Sequence, residues 1–100
     1  MATPIYAPCG YQALAPDAST SVGLTIPTGK NVTRCLISVE TADVRIRDDG
    51  TNPTSSTGMV IKKDSQPWSY EGDLSALKII STSGTAAVKV LYYAERSLTR

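Results

Sequence analysis

Histidine and phenylalanine are absent from this chain of 100 residues, tryptophan occurs once and cysteine twice. Without histidine no side chain titrates near neutrality unperturbed, and neither a Ser–His nor a Cys–His nucleophile pair can be built. Carboxylate and lysine chemistry remain open, so the absence weighs against an enzyme without closing the case. Cys9 and Cys35 form no C-x-x-C pair and have no histidine beside them, which argues against zinc. They read as two reduced thiols, with a Cys9–Cys35 bridge as the alternative. Charge of one sign is scarce as well: ten basic and nine acidic residues give +1, and no single-sign block runs longer than Lys62-Lys63. That leaves no electrostatic footprint for nucleic acid and no basic helix for a membrane. No apolar run approaches the ~20 residues of a membrane span. The opening MATPIYAPCG lacks the basic start and apolar stretch of a signal peptide, so the expected site of synthesis is a cytosol. No cofactor and no small-molecule substrate is called for.

What is abundant is Val, Ile, Thr and Ser, residues that suit a pleated surface and its turns. No window carries a helical stripe; a single helical turn is expected near Asp73 to Ala76. Strand candidates come at short intervals, each bounded by turn residues. They are YQALA from Tyr11, SVGLTI, VTRCLISVE, VRIR, MVIKK, PWSYEG, LKIIS and AAVKVLYYA. Alternation puts Val22, Leu24 and Ile26 on one face, then Cys35, Ile37 and Val39, then Val44 and Ile46, then Val88, Val90 and Tyr92. Eight short strands in one domain-sized chain predict an all-β protein, a small eight-stranded β-sandwich of the jelly-roll kind. Residues 11–94 would form the sandwich. Residues 1–10, with Pro4 and Pro8, read as an extended arm, and residues 95–100 as a polar tail.

The stretch RIRDDGTNPTSSTGM, Arg45 to Met59, holds the most conspicuous polar residues. Asp-Gly after an alternating strand is a turn signal, and Pro53 forbids a continuing ladder. The structural reading is a turn opening a long surface loop. The sharper alternative is calcium, but adjacent acids diverge in an extended chain, and no further acid arrives within the loop to complete an oxygen shell. Paired carboxylates for glycoside hydrolysis need a gap across a cleft, not adjacency. Trp68 and Tyr70, two apart on one strand face, form a candidate sugar-stacking platform. The competing reading places them in a core or an interface.

One pattern points outward. On the faces that alternation leaves to solvent, Leu36, Ile80, Leu91 and Tyr93 interrupt the polar residues. If their strands are neighbours, they make an apolar patch that a soluble monomer would avoid. Together with Ile5 and Tyr6 of the arm, these are the candidate interface residues, for self-association as a dimer or trimer or for docking to another protein. The alternative is that a loop or the arm covers them.

The segment VGLTIPTGKNVTRCLISVETADVRIRDDGTNPTSSTGMVI, followed by DLSALKIISTSGTAAVKVLYY, resembles small β-sandwich virion proteins of tailed bacteriophages. The likeness covers roughly Val22 to Tyr93 and lies in strands and turns, not in catalytic residues. It implies a component of the phage particle, assembled in the host cytoplasm. The role it implies is a head decoration, or cement, protein that binds the major capsid protein across subunits. A carbohydrate-binding module, a small head fibre and a baseplate subunit are the alternatives.

Overall fold

A computed structural model describes the backbone of residues 4–29 and 31–97 and the side chains of residues 7–29 and 31–94. The strands are β1 (Pro4–Leu14), β2 (Val22–Gly23), β3 (Val32–Glu40), β4 (Val44–Arg47), β5 (Met59–Ile61), β6 (Trp68–Tyr70), β7 (Lys78–Ser81) and β8 (Ala87–Ser97). A single 3-10 turn, Leu74–Ala76, precedes β7; the Asp73 carboxylate caps it by accepting from the Ser75 N–H at 3.1 Å. The strands form two four-stranded sheets: sheet A in the order β1-β8-β3-β6 and sheet B in the order β2-β7-β4-β5. Every ladder is antiparallel. The order pairs β1 with β8, β2 with β7, β3 with β6 and β4 with β5. This is a long hairpin of four strand pairs folded so that alternate pairs fall in opposite sheets.

Period-two burial holds the two layers together. Cys35, Ile37 and Val39 of β3 and Val88, Val90 and Tyr92 of β8 face inward from sheet A. Val44 and Ile46 of β4 and Ile79 of β7 meet them from sheet B, with Leu74 and Leu77 closing one side. Each fully buried aliphatic side chain contributes ~1.5–3 kcal/mol through surface withdrawn from water. β2 is shorter than the alternation of SVGLTI suggests. Pro27 cannot donate to a ladder, and the Thr25 N–H goes to the Gln12 side chain at 3.0 Å. Leu24 and Ile26 still pack against the core.

The expected boundaries at residues 10 and 95 fall inside strands. Residues 4–10 are the outer half of β1, with Pro4 opposite Ser97 and Ala7 opposite Ala94. β3 pairs with β8 no further than Ala94, so residues 4–6 and 95–97 continue as a two-stranded ribbon beyond the sheet. Prolines that read as arm residues are tolerated because β1 is an edge strand, whose outward N–H groups have no ladder to join. Residues 1–3 and 98–100 lie outside the described residues.

The corner between the sheets is tied by Asp43. Its carboxylate accepts from the Lys63 N–H at 2.9 Å and the Lys62 ammonium at 3.4 Å. Its carbonyl accepts from the N–H and hydroxyl of Thr82 at 3.0 and 3.1 Å. Before it, the Ala42 N–H reaches Glu40 O at 2.9 Å across Thr41, whose φ is +80°. That is a three-residue turn in a conformation a β-branched residue adopts only under strain.

Candidate functional site

The two adjacent carboxylates are divided between two structural bonds. Asp49 takes the Arg47 guanidinium in a fork, Nε at 3.1 Å and Nη2 at 2.6 Å, and also accepts from the Thr51 N–H. The Arg47 hydrogen bond is the main reason its carboxyl sits below the usual range. Asp48 turns the other way and accepts from the Tyr70 hydroxyl at 2.5 Å. Gly50, at φ +89°, completes the turn. The loop that follows is gripped by Arg45, which donates to Ser55 O at 3.1 Å and Gly58 O at 2.8 Å. Gly58 has φ +133°, and a Cβ there would lie 3.0 Å from Ile46 O, so the close approach requires glycine. Among the described residues no three carboxylate or thiol groups come together as a metal cluster.

Trp68 and Tyr70 do share a face, with ring centroids 5.3 Å apart and planes tilted by 38°. That face is the inner one. Tyr70 is buried in the core and Trp68 packs against it. Burial first, and then the Asp48 carboxylate, raise the Tyr70 phenol well above its ordinary value. A pair with one ring enclosed offers no open stacking platform. Cys9 and Cys35 are both free. β8 separates their strands, which puts them two strand spacings, ~10 Å, apart, beyond the ~7 Å Cα limit for a disulfide. Burial pushes the Cys35 thiol up to about 11.

The candidate interface residues do not form one patch. Leu36 and Leu91 are directly opposite one another on the outer face of sheet A. Tyr11 faces Leu91 from β1, and Tyr93 stands in the next row, opposite Arg34. Tyr11 is 61% exposed and Leu91 39%. Ile80 belongs elsewhere: it is in sheet B, opposite Arg45, and only 2% exposed. Arg45 and the buried Pro53 hold the 51–58 loop on that face of sheet B, so Ile80 is interior and not part of an interface. Ile5 and Tyr6 lie in the paired ribbon, and their side chains are outside the described ones. Tyr11 escaped the sequence reading because only the β1–β8 register sets it beside Leu91.

A second apolar surface was not anticipated. A groove of about 460 Å³ opens between the edge strands β5 and β6. Ile46, Met59, Val60, Ile61, Pro67 and Trp68 are among the residues lining it. Met59 is opposite Ile46, so it has the parity of an inward residue, yet it is 74% exposed. The sandwich is therefore open along this side, with core parity facing solvent. Only the β4–β5 register gives Met59 the parity of Ile46, and only the strand order makes β5 and β6 sheet edges among the described residues.

No protein-family model, no curated protein and no solved structure matches this chain.

Proposed function

We propose that this chain is a structural component of a tailed-phage particle, a capsid decoration protein of the jelly-roll kind that binds across capsid subunits and stabilises the head. The strand-and-turn likeness to small virion proteins supports this reading, and so does the sheet order 1-8-3-6 over 2-7-4-5. The observation that carries it is the open side at β5 and β6, where Met59 of inward parity and Val60 stand 74% and 41% exposed on a rigid sandwich. Exposed core parity on an edge strand is a liability for a protein that works alone. It is an asset for one whose working state is docked.

The mechanism is mechanical. A rigid body fixed to two neighbouring subunits opposes their separation under the pressure of packaged DNA. Each copy need supply only a few kcal/mol, since holding one subunit raises the effective concentration at the next and many sites act together. The test is co-sedimentation of purified protein with phage heads stripped of their decoration. Binding is expected, and Met59→Asp should weaken it at least ~30-fold, as loss of a central apolar anchor does. Wild-type protein that leaves such heads bare would overturn the proposal.

A further inference from the structure

The outer face of sheet A adjoins the β5–β6 opening at Pro67, and its composition is self-complementary. Its central row runs Tyr11–Leu91–Leu36–Ser69 across all four strands. The row on one side carries Tyr93 and Arg34, with Glu71 paired to Arg34. The row on the other side carries Ala13, Lys89 and Ser38, with Glu40 paired to Lys89 at 3.3 Å. Two cations and two anions balance, so the face can approach a copy of itself without net repulsion.

We infer that two copies of this chain pack sheet A against sheet A about a two-fold axis that runs along the Tyr11–Leu91–Leu36 row. Residues on such an axis meet their own counterparts, as an isologous contact requires. Leu91 then rests on Leu91 of the second copy and Leu36 on Leu36. The rows on either side exchange: Tyr93 lies over Lys89, an aromatic face beneath a cation, and Arg34 lies over Ser38. Among the described residues no like charges are opposed.

The area agrees. Three strands of about eight residues and the three residues of β6, at ~4.8 Å spacing and ~3.3 Å rise, give ~430 Å² in plan. Side-chain relief brings that to ~500–600 Å² per partner, the low end of specific interfaces and the range of weak, reversible ones. Such a dimer should form in the micromolar range, with its two open grooves free. The inference deepens the reading of the chain as a particle component: a dimer doubles the docking surfaces in one body. It is tested without any particle, so either idea can fail alone.

Sedimentation velocity of the purified chain, with circular dichroism of every variant, decides it. Dimers are expected at ~100 μM, consistent with a small interface. Tyr11→Lys and Leu91→Glu should each raise the dissociation constant at least ~30-fold, the effect of losing a central contact. Tyr11 is exposed enough that its variant keeps the fold even if Leu91→Glu does not. Met59→Glu should leave the dimer unchanged. In a Cys9→Ser background, Leu91→Cys should cross-link to a covalent dimer under a mild thiol oxidant, because the two side chains meet on the axis. A wild-type monomer at that concentration, a trimer, a dimer indifferent to Tyr11→Lys, or a Leu91→Cys chain that does not cross-link would each overturn the arrangement.

Discussion

Replacing Tyr70 by phenylalanine tests whether the Asp-Asp-Gly turn is a structural anchor. The substitution removes one oxygen and leaves the ring, so packing against Trp68 at 5.3 Å between centroids is retained and no cavity opens. What is lost is a 2.5 Å bond to the Asp48 carboxylate and a 3.3 Å bond to Asp73 O. A hydrogen bond to a charged group contributes ~1.5–3 kcal/mol. Asp48 is exposed and regains water, so the loss should lie at the lower end, ~1.5 kcal/mol. With an m-value of ~1 kcal/mol/M for a small domain, the urea midpoint should fall by ~1.5 M. The thermal midpoint should fall by ~6–10 °C. The decisive assay is a cycle of Tyr70→Phe, Asp48→Ala and the double variant, each unfolded in urea. The double variant should cost clearly less than the sum of the singles, by ~1 kcal/mol or more. Strict additivity would mean that the two groups do not support one another, and the structural account of the turn would fail.

Three further outcomes follow from the corners and the buried phenols. Thr41→Gly should raise the urea midpoint by the equivalent of ~0.5–1 kcal/mol, since relief of a β-branched residue at φ +80° exceeds the entropy that glycine adds to the unfolded chain. The Lys63 N–H, more than the nearby lysine charges, holds the Asp43 carboxyl below its ordinary value. A depressed folded value means that this stability is present above about pH 4 and lost as pH falls further. Asp43→Asn should therefore be less stable than wild type at pH 7 and converge with it as the pH falls below 4 in acid-dependent urea titrations. At the other end, burial raises the Tyr92 phenol to about 12. The unfolded phenol ionises near 10, so stability should be complete below pH 10 and decline from there to pH 12. Tyr92→Phe should flatten that decline in part, Tyr70 having the same sign.

Alternation made the inner faces of β3, β4 and β8 legible, because a residue's parity within its own strand fixes its side of the sheet. Asp73 and the short run after it likewise announced the turn at Leu74–Ala76. What alternation cannot supply is which strands are neighbours. Leu36 and Leu91 were both outward by parity and prove to be opposite one another. Ile80 was outward by the same rule, and the 51–58 loop closes over that side of its sheet. Met59 was a strand residue of no evident importance until β5 proved to be an edge. Prolines misled for a related reason: Pro4 and Pro8 argue against a central strand, and β1 is not central. Parity is local, whereas edge, neighbour and cover belong to the topology.

The distribution of used and unused groups bears on what kind of partner this fold suits. Asp17, Asp43, Asp48 and Asp49 each accept hydrogen bonds that hold a turn or a corner. Arg45 and Arg47 fasten the loop between β4 and β5 and its first turn. These polar groups are committed to the turns and corners of the body rather than to its open surfaces. The groove between β5 and β6 has Lys62, Ser65 and Gln66 as its polar lining residues; the Lys62 ammonium already leans on Asp43, and the Ser65 hydroxyl donates to Lys62 O. A small ligand needs several convergent polar groups to fix its orientation, whereas a protein surface is held by shape and apolar area over many residues. Apolar residues exposed at two places, one on the face of sheet A and one at the rim of sheet B, are in keeping with the macromolecular partners proposed above. On the reading proposed above, with one place meeting a copy of itself and the other meeting a shell, a single sequence would span more of that shell than one domain can reach.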